Sequence, residues 1–291
     1  MIKPSQLFSP FPWIVLVFLL SSCTLPTSTP IPETTPLDPT AQSPTLQALI
    51  PPTTPPPRAL TVCLGQEPTS LFIYADGSSA ARSVRQAIFD GPAEIVNYEL
   101  QPVILERLPN LANADVLLEP TQVVSGTLIV ASDGSLANLE EGVVFLPAGC
   151  NRAECSQSYA GEAAVSMEQL VVRFRLRPGL LWADGVALTA ADSVFSYEVA
   201  RALYPRARPN LIDFTHSYLA LDELTVEWRG LPGYKDPLYQ TNFFVPLPQH
   251  LWGSIPPGEL LSAEISSRMP LGWGPYMIEE WTSGDHITLI K

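Results

Sequence analysis

The composition of residues 24–58 sets the strongest limit on how this chain can fold. Eleven of these 35 residues are proline and nine are threonine, and the segment has no periodic apolar pattern. Such a sequence cannot bury a core, so it predicts a disordered, partly extended tether that could reach up to about 100 Å. A docking site for a proline-binding partner is the alternative interpretation. Any globular core must therefore come from residues 59–291.

The first 22 residues have the features of a signal peptide. Lys3 precedes an apolar run of eight residues at 13–20, which is shorter than the roughly 20 residues of a membrane-spanning helix. Residues 20–23, Leu-Ser-Ser-Cys, fit a lipobox, in which Cys23 is acylated and becomes the new N-terminus. An ordinary signal peptide that happens to contain a cysteine, or a short buried helix, is the alternative. The sequence predicts an extracytoplasmic protein that a lipid on Cys23 anchors to the cell membrane.

The charge balance argues against a nucleic-acid partner. Acidic residues outnumber basic ones by 29 to 16, giving a net charge of −13, and the sequence has no sizeable basic patch. Binding to nucleic acid depends on clustered Lys and Arg that neutralise phosphates. We expect no nucleic acid among the partners.

No motif for catalysis or metal binding stands out. The three histidines, at 216, 250 and 286, are far apart in sequence, and neither a nucleophile elbow nor a phosphate-binding loop is found. The carboxylate pairs at 140–141 and 279–280 are adjacent, so on strands their side chains would point to opposite faces. The sequence predicts a protein that is not an enzyme and needs no cofactor or metal.

The cysteines other than Cys23 have simpler roles. Cys150 and Cys155 close a short loop, where an oxidising compartment favours a disulfide worth about 2 kcal/mol by loop entropy. Cys63 lies in the apolar run LTVCL, which predicts a buried strand over 60–64 with a core thiol.

Residues 168–205 combine a strand, a tight turn and a helix. The strand 168–177 alternates apolar residues with Arg173, Arg175 and Arg177, which predicts one buried and one solvated face. After it, we expect Trp182 to fill a pocket and residues 183–185 to form a turn. Residues 189–192, Thr-Ala-Ala-Asp, form a capping box that starts a helix with residues 194–195 and 197–199 toward the core, and Pro205 ends it.

Other segments predict a mixed α/β organisation. A helix is expected over 80–89, another strand within 219–228, and a β-hairpin over 275–290. Short strands at 94–100, 115–120 and 127–132 indicate a small, mostly β subdomain at about 93–167, with Leu128, Val130 and Leu136 facing one core.

The run LVVRFRLRPGLLWADGVALTAADSVFSYE, residues 170–198, resembles the signature region of the family 5 extracellular solute-binding proteins, the peptide and nickel class served by ABC importers. The matching residues are Trp182, Asp184, Gly185, Leu188, Thr189, Ala190 and Asp192. Ala187 replaces the family's usual proline and Ser193 its usual valine. The blocks LTVCLGQEPTSL, VPLPQHLW and PLGWGPYMIEEWTSGDHITLIK resemble the same family in the same order.

The resemblance implies an α/β fold over residues 59–291: the first lobe of a type II, periplasmic-binding-protein-like domain, with the small β subdomain and with the second lobe missing. It implies a monomeric lipoprotein that captures oligopeptides, or a related small solute, for ABC permease subunits. A non-transport sensor or interaction lipoprotein of the same fold, or a truncated product, is the alternative.

The resemblance also points to two groups of ligand-binding residues. The loop after the first strand contributes Glu67, Thr69 and Ser70. The segment before Pro275 contributes Gly272, Trp273 and Gly274. Backbone groups of these residues and the indole of Trp273 would hold an extended peptide by strand-like pairing.

Overall fold

The computed structural model describes residues 59–291. The predictions of a signal peptide over 1–22, of lipidation at Cys23 and of a tether over 23–58 therefore lie outside the described residues. Of the helices in the described part, none has the length and apolar character needed to cross a membrane.

Residues 59–291 contain five α-helices, three short 3-10 turns and twelve strands. The helices are α1 Ser79–Ile88, α2 Ala190–Ala202, α3 Pro209–Asp213, α4 Gln249–Trp252 and α5 Glu264–Ser267. The strands are β1 Ala93–Val96, β2 Glu99–Pro102, β3 Val116–Val123, β4 Leu128–Val130, β5 Leu136–Asn138, β6 Val144–Phe145, β7 Gln157–Ser158, β8 Val165–Arg175, β9 Thr215–Ala220, β10 Thr225–Gly230, β11 Met277–Thr282 and β12 His286–Ile290. The 3-10 turns are Ala153–Cys155, Tyr239–Thr241 and Glu259–Leu261.

A four-stranded sheet in the order β3-β8-β10-β9 organises the fold, and each pair of neighbours is antiparallel. Val172 of β8 lies opposite both Val116 of β3 and Trp228 of β10. One face of this sheet packs on the main hydrophobic core, which includes Phe174, Trp182 and Trp228. The β-branched and aromatic residues of these strands thus bury their side chains as a pleated, half-covered surface requires.

The prediction that β8 is solvated on one face is correct only at its C-terminal end. Gln169 and Val171, on the face opposite the main core, are buried, whereas Arg175 is exposed. The second face is covered because Glu227 of β10 accepts hydrogen bonds from Arg173, at 2.9 Å, and from Arg229, at 2.7 Å. Arg173 and Arg229 thus form ion pairs with Glu227 across this face of the sheet.

The predicted strand, turn and capped helix of residues 168–205 are confirmed. The side chain of Trp182 is only 2% exposed, and the amide of Gly185 donates to the Trp182 carbonyl at 2.9 Å. Gly185 has φ +87°, a left-handed conformation that favours glycine at this turn. Helix α2 then begins after Thr189 with the expected capping box.

The carboxylate of Asp192 holds three segments together. Its Oδ2 accepts hydrogen bonds from the Thr189 amide, at 2.9 Å, and from the Trp182 indole, at 3.4 Å. Its Oδ1 accepts from the amide of Gln249, at 3.1 Å. Asp192 is itself only 5% exposed, and this one side chain links the start of α2, the Trp182 turn and the start of α4.

The predicted inward face of α2 is partly wrong. Phe195 and Val199 are buried as expected, but Glu198 is exposed. Instead, Ser193 and Ser196 are fully buried. Each serine has a partner that offsets the loss of water: the hydroxyl of Ser193 bonds the Tyr218 hydroxyl at 2.7 Å and the Phe244 carbonyl, and that of Ser196 bonds the Tyr74 hydroxyl at 2.8 Å.

The predicted buried strand over 60–64 is wrong. These residues form no strand and are exposed, Val62 by 68%, and Cys63 is an exposed free thiol. A strand exists only when its backbone groups pair with a neighbour, and within residues 59–291 no strand pairs with this segment.

One predicted single strand is a hairpin instead. Residues 94–100 turn at Asn97 and Tyr98, which have positive φ angles, so that β1 pairs with β2. The strand predicted within 219–228 is confirmed as β10, and the turn from β9 precedes it. A period-two pattern continues across a tight turn, which explains why the turn at residues 97–98 was not predicted.

A smaller hydrophobic cluster gathers the hairpins β4–β5 and β6–β7. It includes Ile129, Phe145 and Met167, and the nearby Cys150 and Cys155 are joined by a disulfide. Leu128, Val130 and Leu136 were predicted to face one core, but Leu128 and Leu136 are about two-fifths exposed, so this prediction is wrong. Ile129, on the opposite face of β4, packs in the cluster instead. Strand β3 lies within 93–167 but belongs to the central sheet and not to these hairpins. The subdomain boundaries at 93–167 stay a prediction.

We predict that Asp192→Ala lowers the free energy of unfolding by about 2–4 kcal/mol, because it removes a helix cap and leaves the Trp182 indole and the Gln249 amide without this partner. Chemical denaturation measures this loss. The matched control is Glu198→Ala, at an exposed position of the same helix, which should change stability by less than about 0.5 kcal/mol. Equal effects of the two substitutions would contradict the assigned role of Asp192.

Candidate binding cleft

A cleft of about 590 Å³ is formed by four separate segments of the chain. They are the loop 73–77 before α1, the hairpin β1–β2, residues 206–208 after α2, and residues 240–245. Clefts of this size, lined by apolar residues with a few polar groups, are typical binding sites for small molecules.

The loop 73–77 is held in place by buried neighbours. Leu71 and Phe72 are at most 1% exposed, and the Leu71 amide donates to the Ser267 carbonyl at 2.6 Å. Phe72 packs edge-on against Trp252, with ring centroids 5.9 Å apart. Burial raises the pKa of Tyr74, so its hydroxyl stays protonated and bonded to Ser196. The cleft wall on this side is therefore rigidly attached to the core.

Asp76 supplies a carboxylate on this wall, but its oxygens are already occupied. Oδ2 accepts from the Thr69 amide at 2.8 Å and from the Thr69 hydroxyl at 2.9 Å, and Oδ1 accepts from the Ser78 amide at 2.7 Å. Burial alone would raise the pKa of Asp76, but the hydrogen bonds from Ser78 and Thr69 outweigh it and hold the pKa well below its usual range. Asp76 is thus ionised at neutral pH and serves to shape the loop.

Arg208 lies on another wall of the cleft, which residues 206–208 form. Its Nη1 donates to the Phe243 carbonyl at 2.7 Å and its Nη2 to the Thr241 carbonyl at 3.0 Å. The guanidinium carbon lies 4.9 Å from the centre of the Phe244 ring. Burial lowers the pKa of Arg208, although a guanidinium remains charged at any physiological pH.

The predicted ligand residue Glu67 contacts the tip of the β11–β12 hairpin. Its carboxylate accepts from the Trp281 indole at 2.7 Å and from the Gly284 amide at 3.0 Å. Hydrogen bonds from Trp281 first, and from Gly284 next, lower the pKa of Glu67. The side chain therefore fastens its loop to the hairpin and does not line the cleft.

Thr69 and Ser70 stabilise their own loop. Thr69 bonds Asp76, as described above, and the buried Ser70 hydroxyl accepts from the Phe72 amide at 3.1 Å. Neither residue lines the cleft, but both fix the loop that does.

Gly272, Trp273 and Gly274 pack at the C-terminal end of α1. A side chain at either glycine would collide with the backbone of Ile88, whose carbonyl accepts from the Gly274 amide at 2.8 Å. The Trp273 indole donates to the Asp90 carbonyl at 3.0 Å, and its ring meets that of Trp182 edge-on at 5.2 Å.

The structure does not bring the six predicted ligand residues together at one site. Glu67 lies at the tip of the β11–β12 hairpin, whereas residues 272–274 lie before β11, against α1. Their role in ligand binding stays a prediction. Tyr74, Asp76 and Arg208 belong to no sequence motif that indicates a ligand site, although the sequence Asp-Gly-Ser at 76–78 carries a helix-start signal that marks this loop.

Residues 157–291 match the model of the bacterial extracellular solute-binding proteins, family 5 Middle. This part of the chain is similar to that family. A relative is the oligopeptide-binding protein AppA of Bacillus subtilis (strain 168), which is 29% identical over 119 residues. The match covers 40% of this chain and 22% of AppA. The predicted resemblance is therefore confirmed for this part of the chain.

Two solved structures show the fold. The AppA structure from Bacillus subtilis, in complex with a nonapeptide, has a TM-score of 0.50 and 19% identity; the match covers 77% of this chain and 34% of AppA. The oligopeptide-binding protein from Thermus thermophilus, complexed with a pentapeptide, has a TM-score of 0.51 and 15% identity, with 77% and 35% covered. The predicted α/β fold of a family 5 binding protein is confirmed, and the chain spans about a third of the length of these two structures.

We predict that Gly272→Ala lowers the free energy of unfolding by about 2–3 kcal/mol, because the added methyl group overlaps the Ile88 backbone. Thermal or chemical unfolding measures the change. Gly258→Ala is the matched control, since no atom lies within 4 Å of the added group and φ is −64°; it should change stability by less than about 0.5 kcal/mol. Unchanged stability of Gly272→Ala would contradict this packing role.

Proposed function

We propose that this chain forms the first-lobe part of an extracytoplasmic solute-binding protein that captures oligopeptides, or a related small solute, for an ABC importer. The observation that carries the proposal is the family 5 match over residues 157–291. The similarity in fold to two proteins whose structures hold a nonapeptide and a pentapeptide supports a peptide as the ligand.

In this proposal the cleft beside Tyr74 and Arg208 forms one wall of the ligand site. Proteins that bind a ligand between two lobes close around it, because the ligand has a higher affinity for the closed state. The rigid attachment of the loop 73–77 to the core suits such a wall, since little conformational entropy is lost when the ligand binds.

The remaining features of the proposal concern the whole protein. We infer a binding role without catalysis, because the similar proteins are named for binding. Lipidation at Cys23, the tether over 23–58, delivery to permease subunits and a monomeric state belong to the same proposal. The six ligand residues at 67, 69, 70 and 272–274 remain candidates that contribute through the loops they stabilise.

We predict that short peptides, from dipeptides to nonapeptides, raise the melting temperature of the full-length, unlipidated protein. A ligand at about 100 times its Kd stabilises the folded state by about 2.7 kcal/mol, which thermal unfolding detects readily. A mixture of free amino acids at equal concentration is the ligand control. A well-folded protein that no peptide stabilises would contradict peptide capture and favour the sensor or interaction role.

A pair of glycine variants locates the site in the same experiment. Gly77 lines the cleft, and a Cβ added there would meet no atom within 4 Å; the same space is open at Gly258, which does not line the cleft. Gly77→Trp should fill the cleft and abolish the peptide-induced rise, whereas Gly258→Trp should leave it intact. Peptide binding by Gly77→Trp at wild-type affinity would place the ligand elsewhere.

A further inference from the structure

The charge of the cleft is opposite to that of the protein. The whole chain has a net charge of −13, yet the cleft lining contains two arginines, Arg206 and Arg208, and a single acidic residue, Asp76. Because the Asp76 oxygens already accept three hydrogen bonds within their own loop, its charge does not pair with either arginine. The cleft therefore presents positive charge in an acidic protein.

Arg208 differs from the arginines of the central sheet in its partners. Arg173, Arg175 and Arg229 each pair with a carboxylate at 3.0 Å or less. Arg208 instead donates to two neutral backbone carbonyls, and among residues 59–291 no carboxylate lies within 4.0 Å of it. A partly buried cation without a counter-charge is costly, and an anion bound in the cleft would offset that cost.

The guanidinium of Arg208 is held in place before any ligand arrives. The two carbonyls and the Phe244 ring fix its plane, and the backbone has φ +43° directly before Pro209, a conformation that a non-glycine residue adopts only where its surroundings impose it. A guanidinium has five N–H donors, and the contacts within the described residues use only two of them. The remaining donors are available for an acceptor in the cleft.

We propose that Arg208 binds a carboxylate of the ligand in this cleft. A planar guanidinium and a carboxylate form paired, charge-assisted hydrogen bonds, which give both affinity and orientation. The neighbouring Arg206 is exposed on the same wall and adds attraction for an anion. The inference rests on the proposed function for the ligand being a peptide, whose carboxylate is either its C-terminus or an acidic side chain.

The test compares ligand variants with protein variants. The peptide that stabilises the full-length protein most is prepared with a free C-terminus, as the C-terminal amide, and with its acidic side chains replaced by amides. Titration calorimetry then measures each affinity for the wild type, for Arg208→Gln and for the control Arg201→Gln, an exposed arginine on α2 that does not line the cleft.

Removal of the recognised carboxylate should weaken binding to the wild type and to Arg201→Gln by at least about tenfold. For Arg208→Gln, the acid and amide forms should bind within about twofold of each other. The form that loses affinity identifies the C-terminus or the side chain as the source. An equal loss in the wild type and in Arg208→Gln would overturn the proposal and leave Arg208 as a clamp on residues 241–243.

A second variant, Arg208→Lys, keeps the proposal testable if Arg208→Gln does not fold. Arg208→Lys keeps the positive charge but loses the planar fork, so the preference for acid over amide should fall to about threefold. If Arg208→Gln does not fold, an unchanged preference in Arg208→Lys overturns the proposal.

Small non-peptide carboxylates, succinate and N-acetylglutamate, separate this inference from the proposed function. Stabilisation by these compounds that disappears in Arg208→Gln, with no effect of any peptide, would support the carboxylate site and contradict peptide capture. If the acid and amide forms of the peptide bind with equal affinity, the result would support peptide capture and overturn the carboxylate site. If neither class of ligand stabilises the protein, both proposals fail.

Discussion

The buried carboxylate of Asp192 links three segments of the chain that pack near the central sheet. It joins the first turn of α2, the Trp182 indole and the chain entering α4. A buried carboxylate is tolerated only when hydrogen bonds replace its hydration, and here four donors do so. Each of the three segments then has a fixed position against the central sheet, where Trp182 belongs to the main core.

The cleft is a consequence of this arrangement. Because α2 is fixed, its buried Ser196 can hold Tyr74, and because α4 is fixed, Trp252 can receive Phe72. The loop between these contacts forms one wall of the cleft. Ser193 on the same helix bonds Tyr218, whose hydroxyl also accepts from the Phe244 amide at 3.0 Å. The segment that holds Arg208 is therefore attached to the same helix.

The sequence predicted the elements whose causes are local. The Thr189 capping box, the turn at Gly185 and the β11–β12 hairpin depend on neighbouring residues, and all three are present. The predicted strand over 60–64 failed because strand formation depends on a partner that residues 59–291 do not provide. The cleft was not predictable, because it depends on contacts such as that between Tyr74 and Ser196, 122 positions apart, and no motif encodes them. Ser193, which replaces the family's usual valine, is a second example. Its buried hydrogen bonds with Tyr218 and Phe244 were not predictable, because these partners are distant in sequence.

Hydrogen–deuterium exchange of the full-length protein, with and without a bound peptide, tests most directly whether this cleft is the ligand site. We expect the peptide to slow exchange at the amides of residues 73–77, 206–208 and 240–245, which contribute to the cleft walls, while the exposed segment 60–64 exchanges as before. Binding that protects other parts of residues 59–291 and leaves these three segments unchanged would contradict ligand binding in this cleft.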